Sequence, residues 1–480
     1  MPCPEKSSFT QIVLGLIANF TSLSPSMSLG FSAIALPWLL AHDNPYKLTK
    51  NESSWFASIV STATPIGCLI SGPISDRYGR KTALLNVNVV CALGWLVIVS
   101  AFYVQQHQYQ LLLLGRVLTG LSSGLCSMPA TIYMAEVSTP KLRGMFITWN
   151  ALTFALGVLL IYLFGSVAQD NWGATAMICA ALPCMGLFMT CIYMVESPLW
   201  LASKNRLDEA KLSMRKFYNC KECSEKVDAE IEMQLSNVDT KEKLSFAEFL
   251  RPTFIKPFLL ISTFFFFQQF SGVFVIIFYA IDIVNQVKIS INPYVAICSI
   301  AFVRIIGSVI VSFLNKKFGR RPLSLVSGGG MTVSMIAIAV YLISIQENII
   351  APMSMLPLTL LIGYIFFCSL GFFTMPFAMA AEVFPSKVRG IGTGLTTCIA
   401  YICNFVIIKI YPLVIKKISN YNMFLLFGCV SLLGTMFVAL CLPETNGKTL
   451  KEIEEYFDKK NKYVGNESKI SQVTNKAPVS

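Results

Sequence analysis

A chain of 480 residues with 54% hydrophobic and only 13% charged residues is too apolar for a soluble enzyme of that length. Its formal charge of +12 would suggest nucleic acid in a soluble protein. Here the basic residues gather in alternate loops, the distribution of a membrane protein, and that excludes the nucleic-acid reading.

Apolar stretches of about 20 residues, the helix length that crosses a bilayer, recur along the chain. In chain order they predict spans at 11–39, 54–74, 83–104, 111–134, 145–168 and 174–195, then, after a polar gap, at 258–283, 292–314, 323–345, 357–380, 390–415 and 423–442. A bilayer interior admits only helices or closed barrels, and these runs are too long for barrel strands. The fold class is therefore an all-α membrane bundle of twelve helices. The first stretch is too long for a cleaved signal peptide and reads as the first span. Arg77, Arg80, Lys81, Lys141, Arg143, Lys316, Lys317, Arg320, Arg321, Lys387, Arg389, the segment 203–256 and the tail put the basic side, with both termini, in the cytoplasm. Lys409, Lys416 and Lys417 run mildly against that rule.

The polar gap contains LDEAKLSMRKFY and EKVDAEIEMQL, whose helical periodicity and mixed charge predict short helices capping the bundle, or else a platform for a partner. Cys220 and Cys223 form a CxxC with no second pair and no His cluster, so no metal is expected, and the other cysteines read as small apolar packers. Asn51-Glu52-Ser53 is a glycosylation sequon in the first outer loop. Those at Asn19, inside a span, and Asn466, in the tail, are on the wrong ground for modification. No nucleophile–base or metal constellation is present, so neither an enzyme nor a cofactor is expected.

The chain repeats itself. SDRYGRKTALL begins at Ser75 and NKKFGRRPLSL at Asn315; YMAEVSTPKLRG begins at Tyr133 and MAAEVFPSKVRG at Met379; ESPLWL begins at Glu196 and ETNGKTL at Glu444. Gly79 and Gly319 are 240 residues apart, Glu136 and Glu382 are 246, and Glu196 and Glu444 are 248. Three pairs in one order with nearly one shift divide the chain into an N-terminal bundle (1–196), a linker (197–256), a C-terminal bundle (257–444) and a tail (445–480), with both bundles in the same orientation. Each half is expected to carry a charge cluster: Glu136 with Arg80, Arg116 and Arg143, and Glu382 with Arg320 and Arg389, with Glu196 and Glu444 adding a second carboxylate to each.

Polar side chains inside spans are the candidate cavity residues. Gln268 and Gln269 lie about 100° apart on a helix and can border one wall, or clamp one helix to another. Tyr279 falls on roughly the face of Gln268, and Ser271-Gly272 can loosen that helix. Arg304 lies mid-span, where it should face the cavity or pair with something such as backbone carbonyls.

These motifs resemble those of the major facilitator superfamily, and within it the sugar porter family, over nearly the whole chain; the insect facilitated trehalose and glucose carriers are the part of it most similar. The matching residues are Asp76-Arg77-Tyr78-Gly79-Arg80-Lys81, Gly115-Arg116, Glu136 with Arg143-Gly144, Glu196-Ser197-Pro198, Gln268-Gln269-Phe270-Ser271-Gly272 and Pro443-Glu444-Thr445. The resemblance implies that the cytoplasmic charge pairs latch the halves while the site faces outward, and break when it opens inward. It also adds Tyr162, Phe377, Tyr401 and Asn404 to the substrate contacts. Three departures stand out. Phe274 replaces an asparagine, Tyr162 replaces a glutamine, and Phe377 replaces a tryptophan after Pro376. A fourth is the absence of an acid from Asn315-Lys316-Lys317 before the second Gly-Arg turn. Coupled relatives carry an acidic residue in span one; here 11–39 has none, and Asp43 lies beyond the span, so uncoupled diffusion is expected.

The expectation is a facilitative, alternating-access sugar carrier for a hexose or trehalose, monomeric, in the plasma membrane, with lipid as its other partner. A non-transporting sugar sensor and a carrier of an organic anion, the latter kept open by Arg304, are the alternatives.

Overall fold

A computed structural model describes residues 8–41, 46–169, 171–218, 248–287, 291–349, 355–385, 388–446, 448 and 450–457, and all regular elements among them are helices. Eleven helical segments among the described residues are long and apolar enough to cross a membrane. The stretch expected as the seventh span lies outside that set; it is divided into Pro252–Phe270, Val273–Phe278 and Ala280–Gln286.

Its division is part of a pattern. The first span is split into Ser8–Phe20 and Leu23–Leu39, the fourth into Gln108–Leu125 and Pro129–Val137, and the tenth into Leu356–Leu370 and Met375–Val383. The spans between them are unbroken: Lys50–Tyr78, Arg80–Tyr103, Pro140–Val167 and Trp172–Tyr193 in the first half, and Pro293–Phe318, Arg320–Gln346, Arg389–Lys417 and Asn420–Cys441 in the second. The breaks thus take the first and fourth place of each half, so the repeat extends to the backbone. In the seventh span the break needs Gly272, whose φ of +95° an L side chain rarely adopts.

Backbone groups freed inside a bilayer must find partners within the protein. Ser71 donates to the Leu125 carbonyl (2.8 Å), and the Tyr364 hydroxyl donates to the Ser271 carbonyl (2.9 Å). The Tyr162 hydroxyl donates to the Ile277 carbonyl (2.7 Å), and the Phe372 N–H donates to Ser327 Oγ (2.9 Å). Side chains of neighbouring spans therefore replace the helical ladder in three of the four divided spans.

The halves meet along three seams: the second span against the eleventh, the fifth against the eighth, and Leu23–Leu39 of the first against the two short pieces of the seventh. The last seam closes the end of the bundle remote from the chain termini. At that far end Lys409 Nζ donates to Asn51 Oδ1 (3.1 Å) and Ser54 Oγ (2.7 Å) and lies 4.1 Å from the Trp55 ring centroid. This lysine, an exception to the charge rule, has a structural partner in the other half.

At the terminal end, helices Pro198–Ser203 and Leu207–Tyr218 are pinned beneath the first half. Trp200 Nε1 donates to the Asp76 carbonyl (3.0 Å), and Ser213 Oγ to the Glu196 carbonyl (2.6 Å). The predicted helix EKVDAEIEMQL, the CxxC and Asn466 lie outside the described residues.

Candidate functional site

At the terminal end each half builds the same joint from a Gly, an Arg and two glutamates. Gly79, at φ +100°, links the second span to the third, and a Cβ there would strike the Glu196 carboxylate. That carboxylate accepts the N–H of Arg80 (2.7 Å) and of Lys81 (3.1 Å), capping the positive end of the third span. Gly319, at φ +84°, repeats this with Glu444, which accepts the N–H groups of Arg320 and Arg321, both at 3.0 Å. Burial works to raise the Glu444 carboxyl, but the N–H groups of Asn446, Arg320, Arg321 and Thr445 outweigh it and hold the group below the usual value. Glu196 and Glu444 therefore bind backbone, where a second carboxylate for each guanidinium was expected.

The guanidinium groups take the other glutamates. Arg80 pairs with Glu136 at 2.7 Å and with Asp76 at 3.2 Å. Arg320 pairs with Glu382 at 2.6 Å, and its Nη1 donates to Asn446 Oδ1 at 2.7 Å. Asn446 thus stands where Asp76 stands in the first half and answers the missing acid before Gly319 with a neutral amide. Arg389 Nε donates to the Phe384 carbonyl (3.3 Å); the side chain of Arg143 lies outside the described atoms. Each described ion pair of these clusters joins residues of one half, so none of them latches the halves together in this conformation.

Arg116 is a correction. Expected beside Glu136, it is fully buried, with Nε donating to the Phe56 carbonyl (3.2 Å), Nη1 to the Ser28 carbonyl and Nη2 to Ser32 Oγ (2.5 Å). The fourth span runs from the far end toward the termini, and twenty residues, helical but for the break at 126–128, separate Arg116 from Glu136, about 30 Å at 1.5 Å per residue. It ties the first, second and fourth spans of its own half.

In the middle of the bundle four neutral polar side chains form one chain. Ser61 Oγ donates to Asn404 Oδ1 (2.6 Å), Asn404 Nδ2 to Gln269 Oε1 (2.8 Å), and Gln269 Nε2 to Gln268 Oε1 (3.2 Å). Gln268 Nε2 ends it on the carbonyls of Phe372 (2.8 Å) and Phe373 (2.9 Å), the backbone freed by the break in the tenth span. All four are buried, and the chain passes from the second span across the seam to the eleventh, seventh and tenth. Gln268 is thus a clamp and Gln269 a link. Ser61 was missed in the sequence because a serine in an apolar span carries no signal by itself.

The other candidates surround this chain. Tyr401 lies three residues before Asn404 on the same helix and is half-buried. Phe377 is the most exposed of the candidate substrate contacts, 36%, with its ring centroid 4.8 Å from that of Phe265. Tyr279 donates to the Ile408 carbonyl (3.2 Å) and lies 5.0 Å from the Tyr411 ring. The Phe274 ring lies tilted against Phe373, centroids 5.6 Å apart, and Phe373 in turn lies 4.1 Å beneath the Arg304 guanidinium. Asp282, in the last piece of the seventh span and within electrostatic reach of Tyr279 and Tyr411, is a carboxylate the sequence reading passed over.

A model of the family described as "sugar (and other) transporter" matches residues 17–457. The chain belongs to that family. As a sugar porter of the major facilitator superfamily it is a multi-pass membrane transporter and not an enzyme. It is 29% identical over 470 residues to the facilitated trehalose transporter Tret1 of Bombyx mori, covering 97% of this chain and 92% of that one. To the protein of the same name in Culex quinquefasciatus it is 27% identical over 484 residues, covering 99% and 90%. Among solved structures, the inward open conformation of the xylose transporter XylE from E. coli superposes with a TM-score of 0.77 at 19% identity, covering 93% of this sugar porter and 99% of that chain. That likeness establishes the fold.

Proposed function

We propose that this sugar porter moves a neutral sugar, trehalose or a hexose, down its gradient by alternating access, from a site centred on Gln269, Asn404 and Tyr401. The observation that carries the reading is the buried amide chain across the seam between the halves. Its donors and acceptors are neutral and satisfy one another. A polyol hydroxyl is both donor and acceptor, so a sugar can take over those bonds one for one without leaving a buried amide unpaired. Charge is not required, and the four members of the chain carry none.

A disaccharide is favoured by the names of the relatives and by Phe274 and Phe377, which offer ring faces to C–H surfaces where amide and indole groups were expected. The seam closed at the far end, together with ion pairs confined to each half at the other, fits a site that faces the terminal end. With the termini in the cytoplasm, that is the inward-facing state, and Asn51 then lies outside, where a glycan can be added. A single copy, resident in the plasma membrane, completes the reading.

Uptake of labelled trehalose, glucose, fructose and a sugar acid into proteoliposomes tests it. Trehalose or a hexose should enter without accompanying proton flux, and Asn404→Ala should stop entry while folded protein is still recovered. Saturable binding without entry would make the protein a sensor, and entry of the sugar acid alone would make it an anion carrier.

A further inference from the structure

The second and eleventh spans run antiparallel along their seam, and their contacts pair off in order of depth. From the far end inward, Lys409 meets Asn51 and Ser54 (3.1 and 2.7 Å), and the Phe405 ring meets Trp55 (centroids 5.8 Å apart). Deeper still, Asn404 meets Ser61 (2.6 Å), and the Cys398 thiol meets the Pro65 carbonyl (3.7 Å). Lys409 and Phe405 are four residues apart on one helix face, as are Asn51 and Trp55. Trp55 therefore touches two side chains of the other half, with the Lys409 ammonium 4.1 Å from its ring centroid. All three of these partners of the lysine are neutral. Glu52, the acid beside them in sequence, is taken up by the N–H and hydroxyl of Thr49 (2.8 and 2.7 Å).

A cation at the mouth of a seam can trade an amide, a hydroxyl and a ring for water when the seam opens, whereas separating it from a buried carboxylate is costly. At the terminal end the ion pairs of the two Gly-Arg joints stay within one half. We propose that Lys409 and Trp55 form the clasp that holds the far end shut, and that this clasp sets the balance between the conformation described and one open at the far end. Its contacts exist only while the seam is closed, which is what lets them bias that balance. Lys409 is a positioning residue. It acts along the seam: Ser61 lies seven residues beyond Ser54 on the same helix, about 10 Å deeper at 1.5 Å per residue. Opening the clasp loads the Ser61–Asn404 bond next in line. The inference rests on the alternating access proposed above but not on the cargo being a sugar.

The experiment is hydrogen–deuterium exchange of the full chain in lipid nanodiscs with no sugar present. It compares the unmodified protein with Lys409→Met, which keeps the apolar length of the side chain and loses its charge and donors. The population open at the far end should rise about tenfold, read as faster exchange in peptides covering 50–61 and 400–411. The rise should extend to Leu23–Leu39 and Val273–Phe278, a seam to which none of these contacts belongs, because the halves part as units. It should be absent from the terminal ends of the same two spans, around Asp76 and Gly390. Trp55→Leu should reproduce the pattern, and it is read by the same criteria if Lys409→Met fails to fold. Unchanged exchange at the far end, a rise confined to the second and eleventh spans, or an equal rise at both ends would each overturn the proposal. With no cargo in the experiment, such a result leaves the sugar reading standing.

Discussion

Ser61 and Asn404 hold each other at 2.6 Å across the seam between the halves, and through this bond the amide chain of the second half is anchored to the first. Ser61→Ala removes the anchor without touching the amides. Asn404 keeps its bond to Gln269 but loses one to its oxygen, about 1 kcal/mol. Sugar affinity should change several-fold, read as a shift in KM for uptake, while the unfolding midpoint falls only slightly. An unchanged KM would place Ser61 outside the site.

Gln268→Ala and Gln269→Ala should part company. The first leaves the Phe372 and Phe373 carbonyls unpaired in the interior, a cost of about 1–3 kcal/mol for each group. It should lower the unfolding midpoint as well as uptake. The second breaks the chain at a link and should depress uptake with a smaller loss of stability. Equal thermal effects from the two variants would contradict the division into clamp and link.

Gly79→Ala and Gly319→Ala each force a side chain into positive φ and against a carboxylate. Each should destabilise by about 1–3 kcal/mol or more. Glu196→Ala in the first case, and Glu444→Ala in the second, should relieve only the collision, leaving the backbone strain measurable in a double-mutant cycle.

Glu444 makes stability depend on pH. Its carboxyl is held below the usual carboxylate value, about 4.3. The stabilisation is therefore present above that value and is lost as pH falls through it and toward the folded-state value. Glu444→Gln should lower the midpoint at pH 7, and the gap to the unmodified protein should narrow as the pH is lowered toward and below 4. A gap constant with pH would mean that the charge of Glu444 contributes nothing.

Asp282→Asn tests uncoupled transport. In a uniporter the substitution leaves the pH dependence of uptake unaltered and produces no change in proton flux. Loss of a pH-driven component in the variant would assign Asp282 as the proton carrier and end the uniport reading.

Much of this architecture was legible because it repeats at two levels, in hydropathy and in the Gly-Arg and Glu motifs. The pairs Arg80–Glu136 and Arg320–Glu382 follow directly from those motifs. Arg116 was misplaced because a motif gives a residue's span but not its depth, and the fourth span carries Arg116 and Glu136 about 30 Å apart. Asn446 was invisible for a different reason: the acceptor missing before Gly319 is replaced from more than a hundred residues away, after the last span. The breaks at Thr21-Ser22, Cys126–Met128 and Gly371–Thr374 were likewise hidden, since periodicity averages over a local loss of hydrogen bonds. The sequence could show that Gln268 and Gln269 were adjacent, but not that one faces a broken helix and the other Asn404.

The interrupted spans have one further consequence. An unbroken helix carries its carbonyls on a redundant ladder, whereas at the middle of this bundle single hydroxyls and amides each answer for one or two freed groups. Such a wall is chemically similar to a carbohydrate surface. On the function proposed above, a sugar entering it would be less a guest in a rigid mould than a solvent for it, exchanging hydroxyl for hydroxyl, and the same exchange that seats the cargo would loosen the joints on which the two halves turn.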